Sequence, residues 1–276
     1  MAMRIQITKE DFEQSILVAT SSHSEVFESV EPHFVEAYNM IQQRFLGYVG
    51  EEALETSERL SAAVVKAVCL SAFLEVVRHL DLVLTPTGFG VVANNEVSPA
   101  SSARVEALVE QCRVAYLKAE GEMITWLSAT SGWGSSLQAK MCLPLLVFSI
   151  GQYGFQVKQE LSSKQWNEKL AALYEADAVM RKLISDEQMD DLLEMERGAK
   201  AKDDTAVELI FKVRRCMIFQ AEGLLTAFST ERGRLLRFLD ANIDKFQIYA
   251  DSSAYKANHF KEYHNGKEKP AFVFNS

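Results

Sequence analysis

Residues 80 to 101 read LDLVLTPTGFGVVANNEVSPAS, and the Gly88-Phe89-Gly90 triplet within them is the first candidate for chemistry. A dinucleotide-binding loop needs G-x-G-x-x-G opening straight into a helix, so that the pyrophosphate meets the helix N-terminus. Here Gly90 is followed by Val91, Val92, Ala93 and Asn94 with no third glycine, and no Gly-Lys-Ser/Thr follows to make a phosphate loop. Phosphate binding is therefore not the expected use of this segment. The histidines give no better set. His23 and His33 lack a partner at ligand spacing, and His79 sits at a helix end where its charge suits the dipole. His259 and His264 are five apart, whereas a helical zinc pair wants i, i+4. Carboxylates come in runs such as Asp190-Asp191 and Asp203-Asp204, without a Glu-x-x-His di-iron signature. No G-x-S-x-G elbow supports a serine hydrolase. The expectation is a protein without catalytic residues, metal or cofactor.

Bulk composition narrows the classes further. With 276 residues the chain can bury a sizeable core without disulfide or metal staples. Its four cysteines, at 69, 112, 142 and 216, are far apart and form no C-x-x-C pair, which matches a reducing, cytoplasmic setting. Cys69 and Cys216 lie among apolar residues, where a thiol behaves as a small hydrophobe. A net charge of −9 opposes general nucleic-acid binding. The basic runs Lys212-Val-Arg214-Arg215 and Arg232-Gly-Arg234 stand beside acidic residues and read as salt-bridged helix faces. CLPLLVFSIGQYGF is the most apolar stretch, yet it is too short and too broken by Pro144, Gly151 and Gly154 to span a membrane.

Few glycines and prolines over such a length point to helices. Thr8-x-x-Asp11 resembles a capping box, and Pro32 fits the first turn of a helix running to about Tyr48. Thr56 or Ser57 opens a buried helix, and Ser98-Pro99 caps another reaching about Leu127. Trp133, between two glycines, is expected to anchor a loop on the core. From Leu161 the helical pattern resumes, with Ser185 and Thr230 as N-caps and Gly198 as a C-terminal stop.

The two ends of the chain share landmarks. Ile7-Thr8 to Phe12 matches Leu161-Ser162 to Trp166, and Ser135-Ser136 before Pro144 to Phe148 matches Ser252-Ser253 before Pro270 to Phe274. The expected fold is thus mainly α: a helical bundle built from two related halves, with a small β-hairpin arm and short extended segments. The halves span 1–135, with the arm at about 80–97, and 161–276, joined by a linker over 136–160. The arm follows from period-two alternation at Leu80, Leu82 and Leu84, turn chemistry at Pro86-Thr87-Gly88, and a return through Phe89, Gly90, Val91 and Val92. An exposed edge of this kind makes sense if a partner covers it, or if it folds back on its own helices. Leu82, Leu84, Pro86, Gly88, Phe89, Gly90, Val91 and Val92 are the expected interaction residues.

The segment LDLVLTPTGFGVV-NN-SPAS, with ISDEQMDDLLEMER and the tail SSAYKANHF…KPAFVFNS, resembles an uncharacterised family of tailed phages and prophages of gut anaerobes. The resemblance implies a virion structural protein of head–tail connector type, made in the bacterial cytoplasm and carried into the virion. It also implies protein partners, including further copies of the chain. A homo-oligomer within the assembly and a monomer in isolation are both compatible with that role. Two other classes remain open. One is a helical ligand-binding or enzymatic domain with a pocket between the halves, for which Trp126, Trp133 and Trp166 would be lining candidates. The other is an adaptor for a bacterial partner.

Overall fold

The computed structural model describes residues 3–16, 25–80, 82–85, 88–91 and 101–260. Thr8 opens α1 (Lys9–Ser15): its hydroxyl accepts from the Asp11 N–H while the Asp11 carboxylate accepts from the Thr8 N–H, a full capping box. Phe12 of this short helix is buried against Phe27, Phe34 and Phe73, so an aromatic cluster fixes the first turn on the rest of the protein. Then come α2 (Glu25–Val30), a 3-10 turn at Glu31–His33 that takes in Pro32, and α3 (Phe34–Ile41). The expected continuous helix to Tyr48 is interrupted. A π-helical turn occupies Gln42–Leu46, and Gly47, at φ 58, redirects the chain into α4 (Gly47–Ala53).

Ser57 rather than Thr56 caps α5 (Glu58–Val76), accepting from the Leu60 N–H. The chain next forms β1 (Leu82–Thr85) and β2 (Gly88–Val91), then α6 (Ser102–Ser128). Ser101 holds the N-cap position of α6, and Ser98 and Pro99 lie outside the described residues. Residues 136–160 hold α7 (Leu137–Cys142), an irregular, bent stretch over 143–149 and α8 (Ile150–Val157). This segment is more than a linker: Leu143, Leu145, Leu146 and Val147 are buried in the core. Beyond it lie α9 (Ser163–Ile184), α10 (Asp186–Arg197), α11 (Asp204–Ala221), α12 (Leu225–Ala241), α13 (Gln247–Asp251) and α14 (Ser253–Asn258). Ser185 caps α10 as expected, and Gly198 ends it at φ 80.

Thr230 does not open a helix. It lies within α12 and its hydroxyl donates to the Thr226 carbonyl, because the chain reverses earlier, at Gly223 (φ 70) and Leu224. The fold is mainly α, and one buried hydrophobic cluster runs from Ile5 to Tyr249. Within it α5 packs on α3 and α6, and α11 packs on α9 and α12. No helix among the described residues is long and apolar enough to cross a membrane.

Candidate interaction surfaces and the junction beneath them

Two paired strands rise between α5 and α6. Leu82 faces Val91, Val83 faces Gly90, Leu84 faces Phe89 and Thr85 faces Gly88 in antiparallel register. Gly88 and Gly90 therefore belong to a returning strand, and the next described helix begins only at Ser102. Of the expected interaction residues, Leu82, Leu84, Gly88, Phe89, Gly90 and Val91 share this two-stranded unit, while Pro86 and Val92 lie outside the described residues. The end of α5 is tied to α6 nearby in sequence. Arg78, just past α5, donates through Nε and one terminal nitrogen to the two Glu106 oxygens of α6, both at 2.9 Å. The guanidinium beside Glu106 holds that carboxyl below its ordinary range. An exposed fork of this kind orients more than it stabilises.

Below this unit the N-terminal helices lock onto the C-terminal ones through backbone-close contacts. Trp133 is fully buried, and its indole N–H donates to the Phe45 carbonyl at 2.8 Å. A β-carbon on Gly134 would come within 2.3 Å of the Ala199 nitrogen, and one on Gly198 within 1.9 Å of the Ser128 carbonyl oxygen. The irregular stretch over 143–149 is neither helix nor strand, and side chains from later helices reach two of its carbonyls. Arg197 donates to the Leu143 carbonyl at 3.0 Å and Arg214 to the Leu146 carbonyl at 2.8 Å. Glu110 of α6 accepts from the Ser163 N–H and hydroxyl at the start of α9.

Two cavities flank the junction. One of about 840 Å³ lies between α6, α8 and residues 158–162, with Glu110, Lys118, Glu122 and Phe155 on its wall. The Glu110 carboxylate is already engaged by Ser163. A smaller one, about 360 Å³, is lined by Arg44, Glu120, Cys142, Trp166 and Tyr174. Burial raises the Glu120 carboxyl against the opposing pull of Arg44, and burial pushes the Cys142 thiol up to about 12. A protonated thiol is a poor nucleophile. Cys69 and Cys216 are likewise pushed up to about 12 by burial, in keeping with their packing role. The three tryptophans do not converge on one pocket. Trp133 is sealed in the core, Trp166 packs on Tyr153, and Trp126 lies under the Arg59 guanidinium.

His33 stands 3.4 Å from Glu75, and His259 bonds Asp240 at 3.1 Å; His23 and His264 lie outside the described residues. Among the described residues, His, Cys, Asp and Glu nowhere gather in a group of three that could hold a metal ion. Four cations of the basic runs are paired: Lys212 with Glu208, Arg214 with Glu196, and both Arg215 and Arg234 with the buried Glu231.

Sequence reasoning missed one feature. Val207, Phe211, Arg215 and Phe219 recur every four residues on the outer side of α11, and Arg215 lies within reach of both flanking rings. The Arg215 Nε is buried without a hydrogen-bond partner. The i, i+4 spacing was the available signal.

Residues 37–142 match the profile of a family of unknown function, DUF6712. No curated protein and no solved structure matches the chain. The matched stretch begins within α3, takes in the paired strands, and ends on Cys142, the last residue of α7.

Proposed function

We propose that this chain is a non-enzymatic assembly protein of a tailed-phage or prophage virion, acting at the head–tail junction through protein–protein packing. The strand pair between α5 and α6 is its contact arm, and pairing of a sheet edge with a neighbour is its means of attachment. The observation that carries this reading is the position of the unit: a Leu-Val-Leu and Gly-Phe-Gly-Val strand pair standing between two long helices.

The reading includes two related halves, each of which would occupy an equivalent place in the assembly. Several local features recur in the same order. Gly47 and Ser185, both at positive φ, introduce α4 and α10. The Phe45 and Leu183 carbonyls, each two residues earlier, accept from side chains far along the chain, Trp133 and Asn258. Ser57 and Asp203 cap α5 and α11, and Ser136 and Ser252 cap six-residue helices with nearly the same backbone angles. In this alignment Leu60, Ala63, Val64, Ala67 and Leu70 of α5 correspond to the equally buried Ala206, Leu209, Ile210, Val213 and Cys216 of α11. The family match ending on the last residue of α7 is consistent with a boundary there.

The test has two parts. Mass spectrometry of gradient-purified particles should recover the protein stoichiometrically. Removal of residues 82–92 should leave a folded chain that no longer enters particles. Absence of the protein from particles refutes the virion role, and incorporation of the shortened chain refutes the arm. The larger cavity favours a second reading, a ligand site between the helical groups. A metabolite retained through purification and identified by native mass spectrometry would bring that reading forward.

A further inference from the structure

Aligning α5 with α11 by their caps, Ser57 on Asp203, shows a difference along one stripe. Ser61, Val65, Cys69 and Phe73 of α5 correspond to Val207, Phe211, Arg215 and Phe219 of α11. On α5 this stripe is covered. Phe12 of α1 packs edge-on against Phe73, and Cys69 and Phe73 are both buried. On α11 the same stripe faces outward, with Val207 49% and Phe211 46% exposed. Leu224 and Leu225 extend it past the turn into α12, at 50% and 68%. Its border on α12 is basic, with Arg234 and Arg237 exposed there and Arg234 held by the buried Glu231, while Asp204 and Glu208 stand beside Val207 on α11. At each of the four positions α11 is more open than α5: Val207 and Phe211 are exposed where Ser61 and Val65 are half-buried, and Arg215 and Phe219 are half-buried where Cys69 and Phe73 are buried.

A complementary face exists elsewhere on the same chain. The outer side of α2 and α3 presents Val35 and Met40, 45% and 47% exposed, among the exposed carboxylates Glu28, Glu31 and Glu36. We propose that the acidic α2–α3 face of one copy docks on the basic, apolar α11–α12 face of a second copy, head to tail. Met40 and Val35 meet Phe211 and the Leu224-Leu225 corner, while Glu31 and Glu36 meet Arg234 and Arg237. Packing the α11–α12 face on its own copy would set Arg234 and Arg237 against like charge. The segment 261–276, although it holds Phe272 and Phe274, carries Lys261, Lys267 and Lys269 against two glutamates and offers this border less acidic charge. A contact between two different faces is heterologous and propagates into a ring or a filament. This proposal rests on the two-halves reading above, through the equivalence of α5 and α11.

The test uses full-length protein in sedimentation velocity runs over a wide concentration range, at low and high salt. The wild type should self-associate beyond a dimer, and more weakly as salt rises. Phe211→Glu and Met40→Lys should each lose this association while keeping the wild-type circular dichroism and melting profile. Mixed together, they should form one-to-one dimers and stop there, because each variant retains one intact face. Three results overturn the proposal: a wild type that stays monomeric; a Phe211→Glu effect that Met40→Lys does not share, which would mean a face pairing with itself or with something else; or a chain ended after Phe260 that behaves like Phe211→Glu, which would make the tail the occupant. None of these touches particle composition or the entry of the arm-deleted chain, so the virion reading stands or falls separately.

Discussion

Gly198→Ala puts the interlock between the two helical groups under direct load. Gly198 ends α10 at φ 80 and ψ 11, a left-handed conformation that costs an alanine about 1–2 kcal/mol. Its new β-carbon would also stand 1.9 Å from the Ser128 carbonyl oxygen, where ordinary contact starts at 3.4 Å, so backbone must separate by the 1.5 Å difference. Overpacking of that kind costs a further ~1–3 kcal/mol. The sum is about 2–5 kcal/mol, or a fall in melting temperature of roughly 4–10 °C at ~2 °C per kcal/mol for a chain of this size. Two sister variants separate the causes. Gly223→Ala carries the backbone cost alone, since Gly223 is at φ 70 with nothing within 4 Å of its β-carbon. Gly134→Ala carries the contact alone: its β-carbon would meet the Ala199 nitrogen at 2.3 Å, and its φ is not positive. Urea titrations of the three, read at constant slope, give the comparison. If Gly198→Ala loses no more than Gly223→Ala, the close approach of α10 to the end of α6 is not holding the groups together.

Three further outcomes follow from the buried groups. Trp133→Phe keeps most of the apolar bulk but leaves the Phe45 carbonyl without its donor, and should lower stability by about 1–3 kcal/mol in chemical denaturation. Glu120 has a raised carboxyl in the folded state, so the folded chain holds that proton more readily than the unfolded one, and stability falls as pH rises through the two values. Glu120→Gln should flatten this part of the pH–stability curve and be at least as stable as wild type at neutral pH; a large loss there would mean that the Arg44 pair outweighs the burial cost. Burial works to raise Glu222, but the Tyr153 hydroxyl and Lys169 hold it below its ordinary range. Its contribution is present above the unfolded carboxylate value and is lost as pH falls through the folded one. Tyr153→Phe should therefore shrink the acid-side loss of stability, measured as the urea midpoint between about pH 3 and 7.

What could be read from the sequence was what short-range chemistry dictates. The Thr8 capping box, the Ser57 and Ser185 caps and the Gly198 stop each depend on a few neighbouring residues, and each stands where its pattern points. Thr230 followed by Glu and Arg carries the same kind of signal, yet the Gly223 reversal starts the helix earlier and leaves that threonine in its interior. The π-helical turn at Gln42–Leu46 was out of reach for a different reason. There the Trp133 indole, 88 positions away in sequence, takes a carbonyl that a regular helix would have kept for itself. The α11 stripe was present in the sequence, but spacing alone does not say which face of a helix lacks a neighbour.

The run over 143–149 shows how a long-range need turns into a local composition. An apolar, irregular segment buried in a protein interior leaves carbonyls in want of donors that neither helix nor sheet supplies. Arginine meets that need, because its long stem can cross the core surface and its Nε–H can reach a carbonyl while the terminal nitrogens bind a carboxylate. Arg214 does both, serving the Leu146 carbonyl and Glu196 together, and Arg197 serves Leu143 from the end of α10. Replacing either by lysine would keep the charge and lose the fork. The apolar run and the two arginines 50 to 70 residues further on are thus parts of one device. It ties the stretch between α7 and α8 to α10 and α11.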